Sequence, residues 1–326
     1  MHFLVGYGAY IKELPSILKN IEPMTKPPKD ERIKYNVDYP QDTDFSANAR
    51  RLQSKWRENK GLPFLKYGNF IHPYIAQKEK NNFLTHKIRL LAEYELLRKG
   101  VFEKLIKEDR MWENLLSSQP LCFNLFGELH FDMKLATKYF HQLFPDKVQT
   151  VTDILFEHSP GRRNKKFTGD RSAFDVFIEY ARGDIKGFIG IEVKYAESLK
   201  EEQEDTAAAT FNKHQNEYER LTTSNIFKPN AIEILKKIPL SQIWRDHLLS
   251  IATRTIYDEG FFVFLFPAHN EPCQNGVDEY KKYLASDNEE QTGFYPRHLE
   301  EFINMLIEVI PANWTQELKE RYLGNE

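Results

Sequence analysis

Apolar and polar positions alternate along this chain with two different rhythms. In the first third, apolar residues recur every three or four positions, as in helices with one buried face. From Ser46 onward, Ala49, Leu52 and Trp56 share a face, while Arg50, Arg51, Lys55, Arg57 and Lys60 occupy the others. Thr85 is placed to cap a helix through LLAEYELLRKGVFEKLI, which Gly100 weakens. A short helix is expected from Tyr10 to Asn20, followed by an irregular connection containing Pro23, Pro27, Pro28 and Pro40. A further helix is expected from about Phe123 to Phe144, with Leu125, Leu129, Met133 and Tyr139 at helical spacing.

The rhythm then changes. VQTVTDILFEHS alternates as a strand, and AFDVFIEYA and GFIGIEVKYA read as two more strands joined by the RGDIK turn. AATFNKHQNEYERL and SQIWRDHLLSIATRTIY read as helices. FFVFLF, bounded by Gly260 and Pro267, is short and apolar enough for a strand buried on both faces. Helices around VDEYKKYLA and HLEEFINMLIEVI close the chain. The predicted fold class is α/β, a mixed central sheet flanked by helices. Residues 1–115 are expected to form a helical N-terminal arm that contacts DNA, and 116–326 the catalytic domain.

Composition narrows the function classes. The 326 residues are 41% hydrophobic and 13% aromatic, which excludes a disordered chain. Charge is nearly balanced at -3, which argues against a histone-like binder but allows a local basic face. Neither Cys122 nor Cys273 belongs to a metal-binding or redox pair, so a cytoplasmic setting without disulfides is expected. The apolar N-terminal run is too short and interrupted for a signal peptide or membrane span. No glycine-rich phosphate loop of the GxxxxGKS type is present.

The candidate chemistry lies in the two hairpin strands. Residues two apart on a strand point the same way, so Glu192 and Lys194 share a face with Gly190, opposite Ile189, Ile191, Val193 and Tyr195. A hairpin turning near residues 182–186 brings Asp175 beside Glu192. Two converging carboxylates suit a hard divalent cation such as Mg²⁺, with Mn²⁺ able to substitute. Such an ion activates water and neutralises charge on a phosphate, and Lys194 can steady that charge. The acid-x-Lys pattern also occurs at Asp132, Asp184, Glu279 and Glu317, where the expected setting is a helix or turn and the charge is solvated. Just upstream, Arg162, Arg163, Lys165 and Lys166 form a basic loop suited to DNA phosphates, and Arg171 lies close to Asp175. In QIWRDHLL, Trp244 and Leu248 fit a core face, while Arg245 and His247 are less easily explained by packing.

Asp175 at a strand start, followed by Glu192-x-Lys194 in the next strand, resembles the PD-(D/E)XK nuclease superfamily. Phe174 stands where the superfamily name has Pro. LLSSQPLCFNLFGEL, RSAFDVFIEY, GFIGIEVKY and QIWRDHLLS together resemble a bacterial family classed as restriction endonucleases. The resemblance implies a restriction-endonuclease-like core and a metal-dependent endonuclease acting on double-stranded DNA in defence against foreign DNA, including phage. It implies Glu128 from the core helix as a further metal ligand beside Asp175, Glu192 and the Val193 carbonyl. RecB-like members carry a Gln and a Tyr four apart on the helix after the third strand. Gln215 and Tyr218 are three apart, and Gln215 is taken as a candidate catalytic residue. A homodimer is expected by analogy with enzymes that cut two strands. A repair exonuclease, an RNA-cleaving defence nuclease and a non-catalytic DNA-binding protein on a nuclease fold stay open as alternatives.

Overall fold

The computed structural model describes residues 24–200 and 202–324; the helix expected from Tyr10 to Asn20 lies outside them. Five strands form one sheet in the order β1-β2-β3-β4-β5. β1 (Thr150–His158), β2 (Phe174–Arg182) and β3 (Ile185–Val193) are consecutive antiparallel neighbours. β4 (Glu259–Phe266) and β5 (Phe294–His298) continue the sheet in parallel, giving the mixed sheet the pattern predicts. β5 was not expected, because FYPRH is short and lacks alternation.

Helices cover both faces of the sheet. On one side lie α1 (Asp44–Asn59), α2 (His86–Leu97), α3 (Ser118–His130) and α4 (Met133–Leu143), with two later helices described below. The single helix expected over 123–144 is therefore two. Asp132 breaks it, since its carboxylate accepts hydrogen bonds from the amides of Lys134 and Leu135 and caps α4. Thr85 caps α2 as expected by accepting from the Ile88 amide, and α2 ends before Gly100.

The other face is covered by α5 (Glu204–Lys213), α6 (Gln215–Thr222), α7 (Ser241–Thr253) and α8 (Glu271–Lys281). The stretch AATFNKHQNEYERL is thus two helices that part at His214. α9 (Leu299–Val309) and α10 (Asn313–Tyr322), the latter unexpected, return to the first face. Strand alternation sorts the core: Val176, Ile178, Ile189, Ile191 and Val193 face the first layer, and Phe177, Phe188, Phe262 and Phe264 the second.

The division expected at 115/116 does not separate two cores. Ala49, Trp56 and Met111 share one apolar cluster with Leu121, Ile191 and Leu318. Buried Gln53 on α1 donates to the Arg321 carbonyl, and buried Arg321 reaches back to the Asn82 carbonyl. The N-terminal helices are built into the sheet's first layer. Among the described residues, no helix is long and apolar enough to cross a membrane.

Candidate active site

β2 and β3 pair Val176 with Ile191, so one step outward Asp175 stands across from Glu192. The Asp175 carboxylate accepts a hydrogen bond from the Val193 amide at 2.9 Å, which ties the start of β2 to the end of β3. Lys194 lies on the same face as Glu192 and donates to its Oε1 at 2.9 Å. Both side chains are nearly buried, with Glu192 6% and Lys194 7% exposed. Gly190, further down that face, leaves room for the Phe174 ring, which would lie 2.4 Å from a Cβ there.

Two further elements complete the site. β1 pairs Phe156 with Val176 and His158 with Phe174, which puts Glu157 across from Asp175. Glu157, Asp175 and Glu192 thus form a row of carboxylates over three strands. Glu157 takes a left-handed backbone conformation (φ 46°), uncommon for a residue with a side chain, and accepts from the Leu105 amide. From the opposite layer, α7 lowers Gln242 onto the pair: its amide donates to Glu192 Oε1 at 2.6 Å and accepts from Lys194 at 3.0 Å. One turn on, Asp246 is buried and its Oδ2 has no hydrogen-bond partner. All six line a cleft of about 420 Å³.

The electrostatics follow from crowding acids away from water. Burial, then repulsion from Glu192 and Glu157, push the Asp175 carboxyl well above its ordinary range, against the opposing pull of Lys194 and the Val193 amide. Burial disfavours the charge on Lys194, yet Glu192 and Asp175 outweigh it and hold the ammonium above its usual value. Burial and Glu192 likewise raise Asp246 far above the usual carboxylate range. Among the described residues, no three acidic, histidine or cysteine side chains converge as a ready-made metal cage. The donor set instead matches an ion that takes one or two carboxylates and keeps its waters. Glu157, Asp175, Glu192 and Asp246 outnumber the cations that face them, Lys194 with Arg162 and Arg245 at the margins, an arrangement that a divalent cation would relieve.

Several sequence-based candidates lie elsewhere. Glu128 is on α3, but its carboxylate accepts from the Thr85 hydroxyl at 2.5 Å and sits 3.6 Å from Lys87, fastening α2 to α3 outside the cleft. Gln215 is exposed at the start of α6 and bonds Glu219 on its own helix. Tyr218 packs in the second core and donates to Asp170. His247 is fully buried between the Tyr280 hydroxyl and the Thr292 carbonyl, a packing role. Arg162 turns inward to the Arg171 carbonyl and Glu157, and its side chain is 10% exposed. Arg163, Lys165, Lys166 and Arg171 remain at the surface, with Arg171 at the cleft rim.

Gln242, Asp246 and Glu157 escaped the sequence reading. A signal for the first two was present: Gln242, Arg245 and Asp246 stand at i, i+3 and i+4 on a helix that buries Ile243, Trp244, Leu248 and Leu249, a polar stripe that needs a polar partner. Nothing local distinguishes Glu157 from other acids at a strand end.

A family model described as the PD-(D/E)XK nuclease superfamily matches residues 40–324, and so runs from α1 through α10. No curated protein and no solved structure gives a significant match.

Proposed function

Because the chain belongs to the PD-(D/E)XK nuclease superfamily, we propose that it is a Mg²⁺-dependent endonuclease acting on double-stranded DNA. The observation that carries this reading is the pair Asp175 and Glu192, abreast on antiparallel strands, with Lys194 bonded to Glu192 on the same face. Asp175, Glu192 and the Val193 carbonyl would hold the ion, with Mn²⁺ able to replace Mg²⁺. When bound, the ion supplies an activated water and neutralises charge building on the phosphate.

The chain's own groups do the rest. Lys194, fixed by Glu192 and Gln242, presents its ammonium to the attacking water and to the charge that develops on the phosphate oxygens. Lys194 and Glu192 are both nearly buried, which strengthens that interaction. Lys165 and Lys166 on the exposed loop would grip flanking phosphates. Restriction of foreign DNA is the setting in which such an endonuclease would act.

Incubation of the purified protein with plasmid and bacteriophage DNA tests the reading. Cleavage is expected with Mg²⁺ or Mn²⁺, with loss in EDTA and a fall of about two orders of magnitude or more in Lys194→Ala. Cutting of closed circles marks an endonuclease, whereas degradation of linear ends alone, or of RNA alone, would replace this reading by one of its rivals. Full activity in EDTA would remove the two-strand site from the chemistry.

A further inference from the structure

Two depressions meet at the mouth of the active-site cleft. The cleft shares Asp170, Arg171 and Thr210 with a neighbouring groove of about 670 Å³ that reaches Arg163 and Lys213. Arg171 stands at their common rim, and Arg163 beside it lines the groove. The loop that carries them is braced from within: the Arg163 amide donates to the Asp170 carbonyl, and Arg162 donates to the Arg171 carbonyl.

Between these two cations lies an anion from a remote part of the chain. Glu103 comes from the segment between α2 and the strand layer, with its Oε2 2.5 Å from Arg163 Nε and 3.8 Å from Arg171 Nε. Arg171 also donates to the Glu103 carbonyl. The segment is fastened to the sheet directly after this contact, since Lys104 donates to the Phe156 carbonyl and the Leu105 amide to Glu157. Glu103 itself is in the left-handed region (φ 52°), which is unfavourable for a residue with a side chain. All three charged side chains are 42–59% exposed. An ion pair so open to water contributes little to stability. A carboxylate held there, in a strained backbone and between two arginines, occupies a place made for an anion.

We propose that Arg163 and Arg171 form a seat for a backbone phosphate of the nucleic acid, and that Glu103 fills this seat until substrate displaces it. The inference rests on the nuclease reading above and adds a competition built into the cleft's rim. A phosphate offers more charge and more acceptor oxygens to the two guanidinium forks than one carboxylate does. Entry of the strand therefore exchanges an internal anion for an external one.

The test is a double-mutant cycle on the full chain, read as binding of a short fluorescein-labelled DNA duplex in Ca²⁺ by anisotropy. Glu103→Gln is expected to tighten binding roughly two- to fivefold, the range of one exposed ion pair removed as a competitor. In an Arg163→Gln/Arg171→Gln background the same change should do nothing, and that background should lower the salt dependence by about two counterions. A gain of equal size in both backgrounds would mean that Glu103 acts only through the general field, and overturns the seat while leaving DNA binding intact. Absence of any gain overturns it equally. A wild type that fails to bind the duplex even at low salt overturns the DNA reading and the seat with it.

Discussion

Replacing Gln242 by alanine tests how this site holds its lysine. Gln242 is the only contact from α7 that touches both members of the Glu192–Lys194 pair among the hydrogen bonds of the described residues. Its two bonds, at 2.6 and 3.0 Å, both involve charged groups, and such bonds are each worth about 1.5–3 kcal/mol. Losing one of them in the transition state alone corresponds to a rate loss of about ten- to one-hundredfold. Stability should also fall, because both bonds are already present in the free protein, and alanine's preference for the helix offsets only part of that loss. The assay is single-turnover cleavage at saturating Mg²⁺, run beside duplex affinity in Ca²⁺ and a thermal melt. The expected pattern is a slower chemical step with unchanged affinity, in a protein that still melts cooperatively at a somewhat lower temperature. Gln242→Glu should also be slow, since it keeps the shape but loses the donor to Glu192 and sets a second carboxylate against it. A Gln242→Ala enzyme that cuts within twofold of the wild-type rate would refute the reasoning, because Lys194 would then be positioned by Glu192 alone.

Three other outcomes can be measured. Glu128→Ala should leave a Mg²⁺ titration of cleavage unchanged and lower stability by about 1 kcal/mol through the lost Thr85 hydrogen bond, whereas Glu157→Gln should shift the titration to higher Mg²⁺; the reverse result would return Glu128 to the site. Acid should destabilise the fold through His247, whose pKa burial and the Arg254 charge depress to about 3. The unfolded chain takes up this proton near pH 6.5 and the folded one does not, so stability present above that pH is lost as pH falls toward 3. The loss is about 2 kcal/mol between pH 8 and pH 5, and a melt of His247→Phe that is no less acid-sensitive than wild type would contradict it.

What the sequence disclosed of the site is what strand geometry determines locally. Alternation put Glu192 and Lys194 on one face, and a tight hairpin turn put Asp175 across from Glu192, so three residues could be placed without any knowledge of the remaining fold. The misplaced residues are those whose position depends on packing between layers. Glu128 rides a helix that Asp132 cuts short, and the side it presents to α2 depends on how α3 leans on the sheet. Gln215 follows from the resemblance to RecB-like members, which carry a Gln on the helix after the third strand, yet following β3 along the chain does not bring that helix over the site.

A parallel crossover from β3 to β4 must cover the sheet with an apolar helix, and α6 is too short and polar to do so. α7, with Ile243, Trp244, Leu248 and Leu249 buried, can. Once α7 is recognised as the covering helix, its polar stripe at Gln242, Arg245 and Asp246 has one place to go, the edge where the buried face of β3 turns polar at Glu192 and Lys194. The basic loop shows the complementary limit. Its charge is visible in the sequence, but what each cation touches is set by the fold: Arg162 turns inward to Glu157, while Arg163 meets Glu103, a carboxylate sixty residues upstream. Composition marks where phosphates would be gripped, and only the packed chain shows which of those grips is already filled.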